Sequence, residues 1–232
     1  MDVWYNSAKA VVGAYVALFI RKIHVEGREN IPSGAKIVVA NHALASDGFI
    51  LPFIIPEKVH YLVQADLFTL PVLGKLLALA GQIPVAPGRG PETIKLAKEK
   101  IDQGKTIVLF PEGKLNDGKQ LLKAYTGAAR LFLETGAPVL PIGFYTPPEF
   151  ARPLRSRLLN RPTYGSWQFG GPSFISIGRS WKPETESSIV ESANQYTKVV
   201  REMTDEIMIK ISTVVEQARQ FATGLMQSTQ HS

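Results

Sequence analysis

Short apolar runs punctuate this chain: Lys36–Ala40, Val59–Val63, Gln82–Ala86, Thr106–Phe110 and Val139–Phe144, with Phe174–Ile177 as a late one. Runs of four to eight residues without polar alternation are the pattern of strands buried on both faces. Stretches of helical spacing lie between them. Leu73–Ala80 stops at Gly81. Glu92–Gln103 carries Ile94, Ala97 and Ile101 among lysines, and Gly127–Glu134 ends before Gly136. Ser46 is placed to cap a helix from Asp47 to Ile55, closed by Pro56. From Tyr196 the apolar positions Val199, Met203, Ile207, Ile211, Val214, Ala218, Phe221 and Leu225 predict one long helix. Strands alternating with helices predict an α/β fold, a single domain whose central mixed sheet is flanked by helices.

The first 27 residues read as a separate N-terminal helical segment, with the domain proper at 28–232. Ala10–Ile20 is apolar for only eleven residues, between Lys9 and Arg21-Lys22, too short to span a bilayer. With Trp4, Tyr5, Tyr15 and Phe19 it suits an amphipathic helix lying at a membrane surface; a core-packing helix is the alternative. Glu26–Gly34 reads as a loop.

At 232 residues the chain is long enough for a sizeable core, and its formal charge of +6 favours anionic partners. It has no cysteine, which removes disulfides, thiolate metal sites and a cysteine acyl-enzyme. His24, His60 and His231 have no neighbours at metal-ligand spacing, so no metal is expected. Gly113–Lys119 has phosphate-loop spacing, but Gln120 stands where a serine or threonine must reach magnesium. Arg152, Arg155, Arg157 and Arg161, with Trp167 nearby, suit either a patch facing anionic lipid or an ordinary solvated loop. No nucleic-acid-binding module accompanies them, so no nucleic-acid partner is expected.

Two loops that leave apolar runs carry the candidate chemistry. Asn41-His42-Ala43-Leu44-Ala45-Ser46-Asp47 follows the first, and Phe110-Pro111-Glu112-Gly113 ends the fourth. On one regular helix His42 and Asp47 would lie about 140° apart. If the histidine ends a strand and the acid begins a helix, the side chains can meet. The carboxylate then orients one imidazole nitrogen while the other acts as base. Ser166 and Ser173 lack nucleophile-elbow flanks, so the base would act on a substrate hydroxyl or water.

Taken together these blocks resemble the glycerolipid acyltransferase family, of the 1-acyl-sn-glycerol-3-phosphate acyltransferase kind. Its N-H-x-x-x-x-D block is similar to Asn41, His42 and Asp47. A second is similar to Gly81–Val85 with Arg89 and Gly90, a third to Phe110–Gly113, and a fourth to Ala137–Ile142. The resemblance covers about residues 28–145. It implies acyl transfer from acyl-CoA or acyl carrier protein to a lysophospholipid hydroxyl, with no cofactor. The implied acceptor is 1-acylglycerol 3-phosphate, giving phosphatidic acid. His42 would be the base and Asp47 its orienting acid. Glu112, Gly113, Lys114 and Arg89 would bind substrate, with Asn41, Pro111 and Pro138 supporting the motifs. The resemblance also implies a peripheral membrane enzyme on the cytoplasmic face. Two departures fall where the family holds acceptor phosphate: Lys114-Leu115-Asn116 replaces a small residue, arginine and serine, and Pro87 replaces an arginine. A hydroxylated lipid lacking phosphate is therefore the alternative acceptor, and a non-enzymatic lipid-binding protein is the alternative outside catalysis.

Overall fold

A computed structural model describes residues 3–116, 118, 120–156, 163–182 and 192–230. In chain order the elements are α1 (Val3–Phe19), β1 (Lys22–Glu26), β2 (Lys36–Ala40), α2 (Asp47–Ile50), β3 (Val59–Gln64), α3 (Leu73–Leu79) and β4 (Ile83–Val85). There follow α4 (Gly90–Asp102), β5 (Thr106–Leu109), α5 (Gly127–Thr135), β6 (Val139–Tyr145), β7 (Ala151–Ser156), β8 (Thr163–Gln168), β9 (Pro172–Ile177) and α6 (Ala193–Gln230).

Seven strands form one sheet in the order β1-β9-β6-β2-β5-β3-β4. The run β6-β2-β5-β3-β4 is parallel, β9 is antiparallel to β6, and β1 runs alongside β9. The expected α/β architecture with a mixed central sheet is what forms. Side chains alternate across a strand, so β2 serves both layers. Ile37 and Val39 enter the core beneath α4, α5 and α6, while Val38 and Ala40 enter the core with Ile50, Leu51 and Ile54. Each fully buried valine, leucine or isoleucine among them contributes about 1.5–3 kcal/mol.

The long C-terminal helix forms and lies along its own sheet, burying Met203, Ile207, Ile211, Val214 and Ala218. Gly143 in β6 makes this possible. A Cβ there would stand 2.3 Å from the Val214 carbonyl carbon, so only glycine admits the helix backbone so closely.

The N-terminal segment differs from the sequence expectation. Its helix ends at Phe19, and Lys22–Glu26 joins the main sheet as an edge strand. Tyr15 and Phe19 pack inward against Phe49, Trp167 and Phe169. Trp4, Val11 and Leu18 stay exposed. Among the described residues no helix is long and apolar enough to cross a membrane. The helix expected over Asp47–Ile55 forms one α-helical turn and then a 3-10 turn at Leu51–Phe53. Pro52 lacks the amide hydrogen that would continue the α-helix. Ser46 makes no capping bond from its side chain. Arg152 and Arg155 lie on β7 of a two-stranded hairpin with β8; Arg157, Arg161 and His231 fall outside the described residues.

Candidate functional site

β2 and β5 are parallel neighbours, so the loops that follow them emerge at the same edge of the sheet. Asn41 extends β2 with its side chain. Its Nδ2 donates to the Phe144 carbonyl at 3.0 Å and its Oδ1 accepts the Phe144 N–H at 2.8 Å. This reciprocal pair lets the chain leave the strand without losing contact with β6, and it fixes where His42 begins.

His42 lies flat against Phe110, with ring centroids 4.0 Å apart and planes 15° from parallel. Its Nδ1 faces Asp47, 3.7 Å from Oδ2, with side chains 20% and 3% exposed respectively. That separation lies just beyond a closed hydrogen bond. Nδ1 is buried and, among the described residues, makes no hydrogen bond. Asp47 is anchored by its own loop: Oδ2 accepts the Leu44 N–H at 2.7 Å, and the Asp47 N–H returns to the Leu44 carbonyl at 3.0 Å. Burial raises the Asp47 carboxyl above its ordinary range, while His42 and the Leu44 and Ala43 amides act to lower it. The chain thus turns within five residues so that an acid at a helix start meets an imidazole at a strand end.

Glu112 is 1% exposed and directed inward. Oε1 accepts the His42 backbone N–H at 3.0 Å, both oxygens accept from Asn116 Nδ2 at 2.9 and 2.8 Å, and Oε2 accepts the Leu122 N–H at 2.7 Å. The Asn116 N–H returns to the His42 carbonyl at 2.8 Å. Instead of projecting toward a ligand, this carboxylate clamps the two motif loops together. Gly113 turns with φ of 67° beneath the Tyr125 ring, where a Cβ would stand 2.7 Å from a ring carbon. Pro111 is buried and its carbonyl receives the Tyr125 N–H at 2.8 Å.

The other sequence candidates spread out. Lys114 is exposed in the loop next to Glu112. Arg89 follows β4, three strand spacings or about 14 Å along the sheet from β2. It is 73% exposed and pairs with Glu92 at 3.5 Å. Pro138 precedes β6 at the opposite edge, where its carbonyl receives the Ile37 N–H, so it supports the sheet and not the site. The stretch with phosphate-loop spacing leads into non-helical Leu121–Tyr125, without the helix start such a loop requires. His60 donates from Nδ1 to the Gly81 carbonyl at 2.8 Å, and His24 stacks on Phe174.

Sequence reasoning missed the roles of Phe110 and Asn116, and the β7–β8 hairpin that meets the loop through an Ala45 N–H to Ser166 carbonyl bond of 2.9 Å. Phe110 and Asn116 had a signal, since both flank Glu112 within four residues. The hairpin strands, Ala151–Ser156 and Thr163–Gln168, show no alternating or continuous apolar pattern and had none.

A family model described as Acyltransferase matches residues 22–145, just over half of the chain. A 1-acyl-sn-glycerol-3-phosphate acyltransferase of Borreliella burgdorferi is 31% identical over 138 residues, 56% of this chain and 53% of that protein. A chloroplastic 1-acyl-sn-glycerol-3-phosphate acyltransferase of Arabidopsis thaliana is 27% identical over 126 residues, 52% of this chain and 35% of that protein. The chain thus spans about a third to a half of the length of these relatives. The crystal structure of the 1-acyl-sn-glycerophosphate acyltransferase PlsC from Thermotoga maritima superposes with a TM-score of 0.63 at 22% identity. That likeness covers 94% of this chain and 79% of the other, and speaks for the fold.

Proposed function

The chain belongs to the acyltransferase family, and from that premise we propose that it moves a fatty acyl group from a thioester donor to a lysophospholipid hydroxyl. The acceptor in this reading is 1-acylglycerol 3-phosphate and the product phosphatidic acid, as the names of its relatives suggest. The observation that carries it is the His42–Asp47 contact at the shared mouth of β2 and β5.

His42 Nε2 takes the acceptor hydroxyl proton as that oxygen attacks the thioester carbonyl. The tetrahedral intermediate then collapses, the carbon–sulfur bond breaks, and the imidazolium returns the proton to the departing thiolate. Asp47 stabilises the transient imidazolium and keeps the proton on Nδ1. Acyl-CoA and acyl carrier protein both present such a thioester, and the exchange of thioester for ester needs no cofactor. Base catalysis of this kind is worth about 10² to 10⁴ in rate, so positioning of the two substrates supplies the remainder.

In this reading the enzyme works from a membrane surface, peripherally on the cytoplasmic side. Val3, Trp4, Val11 and Leu18 of α1 and Val72, Leu73 and Leu79 at α3 are exposed apolar residues suited to lipid contact. A second reading concerns the acceptor alone. The place of Arg89 after β4, three strands from β2, supports acceptors without a phosphate.

Purified protein supplied with acyl-CoA and a panel of lysolipids tests both readings. Equal amounts of free thiol and phosphatidic acid, lost in a folded His42→Ala variant, are the expected result. Acylation confined to phosphate-free acceptors would select the second reading. Thiol release without an acylated lipid would overturn both.

A further inference from the structure

The polar groups behind Asp47 include one from an element outside the motif loops. Tyr15, on α1, donates its hydroxyl proton to the Gln168 carbonyl at 2.6 Å, so it is tied to the backbone of the residue that also bonds Ser46. Ser46 is fully buried and directly precedes Asp47, and its Oγ also accepts the Gln168 N–H at 3.4 Å. The hydroxyl that could have capped α2 is therefore engaged with β8. Ala45, one residue earlier, is tied to β8 through the Ser166 carbonyl.

The surroundings make this junction stiff. The rings of Tyr15, Phe49 and Trp167, from three different elements, meet pairwise with centroids 5.4 to 5.7 Å apart. Gln168 is fully buried, with Oε1 accepting from Ser173 at 2.6 Å and Thr146 at 3.3 Å, and Nε2 donating to the Gly170 and Gly171 carbonyls. A polar network so fully bonded holds one geometry. By contrast, no described residue of α1 is itself buried. The helix is held at points, by Tyr15, by the Tyr5 hydroxyl on the Val59 N–H at 3.2 Å, and by the Phe19 carbonyl on the Gly170 N–H at 2.7 Å.

We infer that Tyr15 is a positioning residue for the His42–Asp47 pair, acting through the Gln168 backbone and Ser46, and that α1 is thereby part of the catalytic unit as well as a surface helix. This rests on the acyl-transfer reading for its kinetic consequence, though not for its geometry. Whatever holds α1 against the body also keeps the Asp47 carboxylate turned toward Nδ1.

Tyr15→Phe keeps the ring cluster and deletes only the hydroxyl, and Ser46→Ala breaks the same link from the other side. In each, kcat should fall about fivefold or more, the scale of one buried hydrogen bond, with KM for donor and acceptor unchanged. In an Asp47→Asn background, adding Tyr15→Phe should lower the residual rate no further, whereas general damage to packing would multiply the two losses. Carbethoxylation of His42 by diethylpyrocarbonate, followed by peptide mass spectrometry, reads the same cycle without turnover. Its rate should change in Tyr15→Phe and not change again when Asp47→Asn is added. Wild-type kcat and labelling in Tyr15→Phe, or multiplicative effects in the cycle, would overturn the inference. Labelling that follows the expected cycle in a protein that acylates no lysolipid would uphold it and reject the proposed function instead.

Discussion

Two buried carboxylates stand beside His42, one in each motif loop, and they are held in opposite ways. Among the described residues Glu112 accepts four hydrogen bonds, two from the Asn116 side chain and one each from the His42 and Leu122 amides, and it is buried. Asp47 accepts the Leu44 amide of its own loop but keeps an open 3.7 Å contact to the imidazole, and burial raises its carboxyl. A fully bonded buried anion is a structural clamp; an incompletely bonded one keeps interaction free energy available for a charge that forms during reaction. In the proposed reaction the contrast separates a carboxylate that holds shape from one that acts on the imidazole.

The widest separation is expected from Asp47→Asn. Acyl transfer should fall by about 10² to 10⁴, while the urea midpoint at neutral pH stays level or rises. The sign follows from the raised folded carboxyl. Its ionised form is disfavoured by burial, so the charge costs stability once the pH exceeds the ordinary carboxylate range, and a neutral amide removes that cost. A lowered midpoint with retained activity would erase the distinction. Glu112→Ala should behave the other way. It strands the His42 and Leu122 amides and the Asn116 amide group, costing about 1 to 3 kcal/mol or more in urea unfolding, with activity declining alongside. A stable Glu112→Ala protein with a raised KM for the acceptor would return this residue to the substrate-binding role.

Much of this was legible beforehand, and the exceptions have physical reasons. β2, β5 and β6 are buried on both faces, so nearly every residue is apolar and the runs identify themselves. The stripe of α6 is legible because one side faces the sheet throughout. β1 hides because an edge strand of Lys22, His24 and Glu26 is patterned for solvent. In the site, the spacing of His42 and Asp47 identified the pair, since a turn between strand and helix is the arrangement that joins them. Glu112 was recognisable as important and misread in direction, because a motif acid does not reveal whether its oxygens face a ligand or neighbouring amides. Lys114 and Arg89 were grouped by motif order, yet the sheet order sets their strands apart.

Phe110→Leu sharpens the comparison from the histidine's side. Loss of the stacked ring should lower kcat by roughly 2- to 12-fold, the equivalent of about 0.5 to 1.5 kcal/mol, with the urea midpoint falling by a comparable free energy. The smallest expected effect lies at the other edge of the sheet, where His60 is a histidine used for structure. Burial lowers its pKa to about 4, and nearby lysines add to this. The unfolded chain takes up a proton near pH 6.5 and the folded one does not, so stability present above pH 6.5 is lost as the pH falls toward 4. His60→Gln should flatten the decline of the urea midpoint across that window and leave acyl transfer at neutral pH unchanged. An equally steep decline would remove His60 from the account of acid sensitivity.

The most direct test of the working pair is the protonation pattern of the His42 ring in the intact protein, read by 15N NMR with imidazole nitrogens labelled. At a pH where the ring is neutral, the proton should reside on Nδ1, facing Asp47, with Nε2 bare; in Asp47→Asn that preference should be lost. A wild-type ring carrying its proton on Nε2 would contradict the claim that Asp47 readies His42 to accept a hydroxyl proton.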